Sequence, residues 1–231
     1  MNQQLALRIQ PHEEATFTNY FWSRENNWLK AQLQDTISGV GDRLIYLWGG
    51  CGAGKSHLLQ ACVHELSLSK PAIYLPLHLI KPSGIVVLDG LEDQALLCVD
   101  DVDVLAGDKV WEEAFFHFYN RIRDEGRATL IMSGGQAPRF SPLQLPDLRS
   151  RLGGSLVLQV HELDDDSKIH NLCLQAQKRG LELPLSVAQF LVTRCARNMH
   201  DLHTLLTRLD EASWVLQRKL TIPFVKATLG L

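Results

Sequence analysis

Nowhere in this 231-residue chain is there an uninterrupted apolar run of about 20 residues, the length a helix needs to cross a bilayer, so no transmembrane helix and no membrane partner are expected. The first ten residues hold one arginine among alternating aliphatics and lack the apolar block and small-residue cleavage site of a secretory leader, so a cytoplasmic protein is expected. Cysteine is sparse. The five thiols, at 51, 62, 98, 173 and 195, form no C-x-x-C pair, which excludes a disulfide framework and a zinc knuckle. Charge of one sign is also lacking: the net charge is −3 with both signs intermixed, so there is no basic face for phosphate-driven DNA binding, and DNA contact is expected only indirectly. Internal repeats and low-complexity tracts are absent as well. What is present is 45% hydrophobic content, enough for one large domain or a medium domain with a small appendage.

Residues 1–15 carry no helical period; Leu5, Leu7 and Ile9 alternate with Ala6 and Arg8, as in an extended tail. A helix is expected after Ser23, a good N-cap, running through Trp28, Leu29, Leu33 and Ile37 until Gly39 and Gly41 end it. Short apolar runs at 44–48, 72–75, 95–99, 128–132 and 156–160, separated by helical patterns, predict parallel strands with crossover connections. Beyond His161 only helical patterns follow, at 166–179, 185–197 and 199–218, and the residues after Leu220 are too few for a further helix-turn-helix unit. The expected architecture is α/β: a parallel sheet sandwiched by helices over residues 16–161, then a small all-helical lid over 162–231.

The strongest motif is Gly49-Gly50-Cys51-Gly52-Ala53-Gly54-Lys55-Ser56, followed by His57, directly after the first apolar strand. Glycines let backbone N–H groups turn toward phosphate oxygens, and the following helix offers its positive N-terminus. Lys55 is expected to reach the β- and γ-phosphates, and Ser56 to offer its hydroxyl to Mg²⁺. The run Leu96-Leu97-Cys98-Val99-Asp100-Asp101 supplies a strand ending in two carboxylates. Asp100 is expected to hold Mg²⁺ through its water shell, and Asp101 to polarise an attacking water or simply to open the next loop.

With these motifs, the segment Phe17 to Asn27 and the run Asp147-Leu148-Arg149-Ser150-Arg151-Leu152-Gly153 resemble the AAA+ domain of the DnaA family of bacterial replication proteins, over about residues 16–220. The length leaves no room for the helicase-recruiting and DNA-binding domains of the initiators, so the chain is most similar to the family's regulators; the ending from Gln217 to Lys226 and Leu88-Asp89-Gly90 share that likeness. Such regulators, with nucleotide bound, join the DNA polymerase sliding clamp (beta subunit) and stimulate ATP hydrolysis by DnaA, which prevents repeated initiation. The resemblance therefore implies DnaA and the clamp as partners, ADP or ATP with Mg²⁺ as cofactors (another nucleoside diphosphate being admitted), and activation of the DnaA ATPase with weak or no turnover of its own. A homodimer is compatible with it.

Residue by residue, Gln4, Leu5, Leu7 and Ile9 are similar to a clamp-binding peptide, with Arg8 where many such peptides have proline; an edge strand or frayed tail remains the alternative. Arg151 falls where the family carries an arginine finger acting in trans, and otherwise reads as a surface arginine. Phe21, Trp22 and Asn27 match the segment that borders the base, though an aromatic beside an amphipathic helix also serves as a core anchor. Two positions depart from the pattern: Gly135 stands in place of an acidic side chain, and His200 in place of the second sensor arginine. Histidine is mostly neutral near neutral pH, which weakens a γ-phosphate contact and favours a held diphosphate. The alternatives are a self-sufficient AAA+ loader or remodelling ATPase, and a replication factor that gains a basic DNA groove on assembly.

Overall fold

The protein was built as a computed structural model and is described over residues 15–196 and 198–230. Gln4, Leu5, Leu7 and Ile9 lie outside the described residues. Five strands, β1 (Leu44–Trp48), β2 (Ala72–Pro76), β3 (Leu96–Asp100), β4 (Thr129–Gly134) and β5 (Leu156–Gln159), form one sheet in the order β2-β3-β4-β1-β5. Every pairing is parallel. All residues of β3 and β4 are buried, as an inner strand covered on both faces requires, while the edge strands β2 and β5 are only partly so.

The helices of this part are α1 (Asn27–Ser38), α2 (Lys55–Ser67), α3 (Leu77–Ile80), α4 (Lys109–Glu125) and α5 (Pro146–Gly153), with short 3₁₀ turns at Lys81–Ser83, Ile85–Leu88, Val102–Leu105 and Pro138–Phe140. The longest of them, α4, shows how sequence makes element and core together. Asp108 caps it by accepting from the Trp111 N–H at 3.3 Å, Gly126 ends it at φ 69°, and Trp111, Phe115, Phe118, Tyr119 and Ile122 recur on one face. That face packs with Tyr46, Leu97, Val99, Leu130 and Met132 from the sheet, and with Leu148 and Leu152 of α5, in one buried cluster.

Two compact units are present: the chain up to Gly50 with Gly54–His161, and Cys51–Ala53 with the chain from Glu162. The second contains α6 (Asp165–Lys178), α7 (Leu185–Arg194), α8 (Met199–Leu216) and α9 (Ile222–Leu229). Asp164, Asn198 and Thr221 cap α6, α8 and α9. Leu172, Ala176, Leu191, Leu202, Leu206, Leu209 and Phe224 form its own core.

Two expectations are corrected. The first helix does not start on Ser23: its hydroxyl accepts from the Asn26 N–H at 3.3 Å, closing a turn one step earlier, and α1 begins at Asn27. A short fourth helix, α9, also follows Leu220, with the Thr221 hydroxyl accepting from the Phe224 N–H at 3.3 Å and Pro223 in the first turn, where proline sacrifices no helix hydrogen bond.

Asn26 ties the start of α1 to the end of the sheet. Its side chain is fully buried, donates to the His161 carbonyl at 2.7 Å and accepts from the His161 N–H at 2.9 Å. Truncation leaves both backbone groups without their partner. Asn26→Ala is expected to cost about 1–3 kcal/mol, read as a lower urea midpoint at unchanged slope; an unmoved midpoint would show that water replaces the amide at no cost.

Candidate functional site

Parallel α/β sheets present ligand sites at the carboxyl ends of their strands, and the chemistry-bearing residues gather there. β4 lies between β1 and β3, so the loop leaving β1 and the acidic end of β3 flank the end of β4, with strands about 4.8 Å apart. Gly52 and Gly54 take φ values of 82° and 97°, conformations that L side chains rarely adopt, and Gly54 leads directly into α2. The Lys55 amine donates to the carbonyls of Gly49 and Gly50, at 2.7 and 2.9 Å. A glycine turn, a helix N-terminus and a lysine at its first residue together form a donor set suited to phosphate. Cys51 is exposed.

At the end of β3, Asp100 is buried and both carboxylate oxygens are engaged: Tyr74 donates to one at 2.6 Å and Ser133 to the other at 2.5 Å. The Ser133 oxygen in turn accepts from the Asp101 N–H at 2.9 Å. The side chains of Ser56 and Gln60 lie beside the phenol and favour its ionised form, though less than burial and Asp100 oppose it. Burial and the Asp100 charge push the Tyr74 phenol far above its ordinary value, which keeps its proton in place. The hydroxyl of Ser56 and the carboxylate of Asp100 are hard oxygen donors of the kind Mg²⁺ prefers, and the residues present fit such an ion beside bound phosphate.

Asp101 adopts the left-handed conformation, φ 61° and ψ 63°. It is exposed, yet its carboxyl is held above the usual range, first by partial desolvation at the sheet edge and then by the charges of Asp103 and Asp100; Lys55 and His78 pull the other way. Beside Gly135, the Asp103 carboxylate accepts from the Gly135 N–H at 2.6 Å and from the Ser141 hydroxyl at 2.9 Å. Gly134 beside it admits no side chain, since a Cβ would stand 1.9 Å from the Tyr46 hydroxyl oxygen.

Of the residues expected at the base, Trp22 is half-buried, stacks on Phe17 at 6.1 Å and tilts against Tyr20 at 4.5 Å, Phe21 is half-buried, and Asn27 is exposed at the start of α1. The aromatic that reaches the phosphate loop is Tyr20. A Cβ on Gly54 would stand 2.7 Å from its ring, which also lies edge-on to His57 at 5.4 Å, and the His57 ring bonds the Thr16 carbonyl at 2.9 Å. Arg151 is exposed on α5, with no hydrogen bond or ion pair of its guanidinium among the described residues. Its helix is positioned by Glu112, a buried carboxylate that accepts from the N–H groups of Gly107, Gln144 and Leu145 at 2.6–3.0 Å. His200 is exposed in the first turn of α8. Tyr20, Tyr74, Ser133, Asp103 and Glu112 were not among the residues singled out from sequence.

Sheet order, phosphate loop and the acidic end of β3 give the chain a P-loop fold of the AAA+ type. Domain III of DnaA from Thermotoga maritima is 20% identical, with 95% of this chain and 97% of that one covered and a TM-score of 0.80. AMPPCP-bound DnaA from Aquifex aeolicus is 20% identical over 87% of this chain and 66% of that one, TM-score 0.70. The Thermotoga maritima RuvB Holliday junction branch migration motor is 18% identical over 91% and 70%, TM-score 0.68. Residues 165–229 match the family model of the Hda lid domain. The chain thus shares the fold of these proteins, and its residues 165–229 resemble the Hda lid domain. Among the described residues no helix is long and apolar enough to cross a membrane.

The native Asp101 carboxyl holds its proton to higher pH than an unfolded one, so the group lowers native stability as pH rises above the ordinary value of about 4. Asparagine tolerates the same left-handed backbone. Asp101→Asn is therefore expected to melt above the wild type near about pH 7, with the difference closing toward about pH 4; equal melting at both would remove the electrostatic penalty assigned to this residue.

Proposed function

We propose that this chain is a nucleotide-bound negative regulator of replication initiation, which docks on the DNA polymerase sliding clamp and stimulates ATP hydrolysis by DnaA. The observation that carries this reading is the phosphate loop and Asp100 assembled at one sheet edge in a chain with an Hda lid domain. DnaA relatives bound to AMPPCP support an adenine nucleotide, ADP or ATP. The Lys55 amine leaves the loop carbonyls of Gly49 and Gly50 for phosphate oxygens, to which backbone N–H groups of residues 49–56 also donate. Ser56 and Asp100 would hold Mg²⁺, which would neutralise phosphate charge. Phe21, Trp22 and Asn27, with Tyr20 beside Trp22, border the base.

Arg151 acts on a neighbouring protein. An exposed guanidinium on a short helix fixed by Glu112 is free to enter the ATP site of DnaA, where an arginine finger is worth roughly 10³ to 10⁵ in rate. Gln4, Leu5, Leu7 and Ile9 serve as the clamp-binding peptide. A second reading, a self-sufficient loader or remodelling ATPase, is favoured by one observation: the raised Asp101 carboxyl, beside Asp100, is a suitable base to orient water.

The two readings separate in a phosphate-release assay with clamp-loaded DNA and ATP-bound DnaA, each component omitted in turn. Release is expected only with both this protein and DnaA, and Arg151→Ala is expected to lower it by roughly 10³-fold while nucleotide and clamp binding persist. Equal release without DnaA would establish the ATPase reading instead. Gln4→Ala with Leu5→Ala is expected to abolish capture on immobilised clamp at an unchanged melting temperature; retained capture would reject the tail as the docking element.

A further inference from the structure

The β3 carboxylate is met by Tyr74, a residue of β2 that belongs to neither motif. Its phenol has one proton. The 2.6 Å contact with Asp100 must use it, because an ionised carboxylate only accepts. Asp100, held at one oxygen by Tyr74 and at the other by Ser133, is fixed in rotation and keeps its remaining lone pairs for other donors.

We propose that Tyr74 is a positioning residue of the metal site: its hydroxyl, opposite that of Ser133, fixes the Asp100 carboxylate so that its free lone pairs face a cation beside the phosphate loop. The proposal rests on the nucleotide and Mg²⁺ reading of the site. Without the phenol hydroxyl, Asp100 loses one of two fixed partners, while the ring and the packing of β2 remain. Partners that orient metal ligands in this way are worth about 10- to 100-fold in metal affinity.

The test is titration of a fluorescent ADP analogue into the full chain at rising Mg²⁺, and again in EDTA, for wild type and Tyr74→Phe, with urea midpoints followed alongside. The wild type is expected to bind more tightly with Mg²⁺. Tyr74→Phe is expected to need about 10- to 100-fold more Mg²⁺ to reach the same gain, with its affinity in EDTA unchanged. Ser133→Ala, which frees the other Asp100 oxygen, is the second variant and is expected to raise the Mg²⁺ requirement as well. An unchanged Mg²⁺ requirement in Tyr74→Phe, or an equal loss with and without the ion, overturns the proposal. A wild type whose nucleotide affinity ignores Mg²⁺ overturns instead the reading of the site on which it rests.

Discussion

A buried negative charge at the end of an inner strand is the constraint around which the site is arranged. Left alone, the Asp100 carboxylate would make burial of β3 costly, because a desolvated charge without hydrogen bonds is among the least favourable things a core can contain. The two strand ends near it, β2 and β4, each contribute a hydroxyl, and the second of these also takes the Asp101 N–H. Sheet order and site chemistry are therefore not independent. Only with β3 between β2 and β4 do Tyr74 and Ser133 reach Asp100 from opposite sides.

The same device recurs at Glu112, where burial of a carboxylate orders backbone instead of side chains. Three amide groups from two loops converge on it. The result is a fixed approach to α5, and hence to Arg151, from a residue on the far side of the sequence. Asp103 does a similar service for Gly135 and Ser141. Each carboxylate exchanges its solvation shell for fixed donors, and each exchange holds a loop at the rim of the sheet.

What could be read from the chain beforehand follows the range of the interactions. Five strands, the phosphate loop and Asp100 were legible because each is a local pattern: an apolar run, a glycine spacing, an acid after a strand. The start of α1 was misplaced because Ser23 does offer a hydrogen bond to the chain ahead, but to a turn that precedes the helix. The helix α9 went unseen despite a capping Thr221 and Pro223, since a short element has little periodicity to detect. Tyr74 and Ser133 needed strand register. Once Val99 is set opposite Met132, the next residues, Asp100 and Ser133, fall side by side; Tyr74, two residues before Pro76, shares a sheet face with it, and Pro76 is the register partner of Asp100. Tyr20 neighbours Phe21 in the sequence, and only its approach to Gly54 distinguishes the two.

The thiols are unequally placed. Cys62 and Cys98 are buried and their acidity is suppressed by burial, Cys173 and Cys195 are half-buried with thiols raised for the same reason, and Cys51 alone is exposed, inside the phosphate loop. An alkylating dye added to the intact protein will therefore find Cys51 first. Its rate of attachment is an optical readout of whether that loop is covered, obtained from the natural sequence without an engineered label.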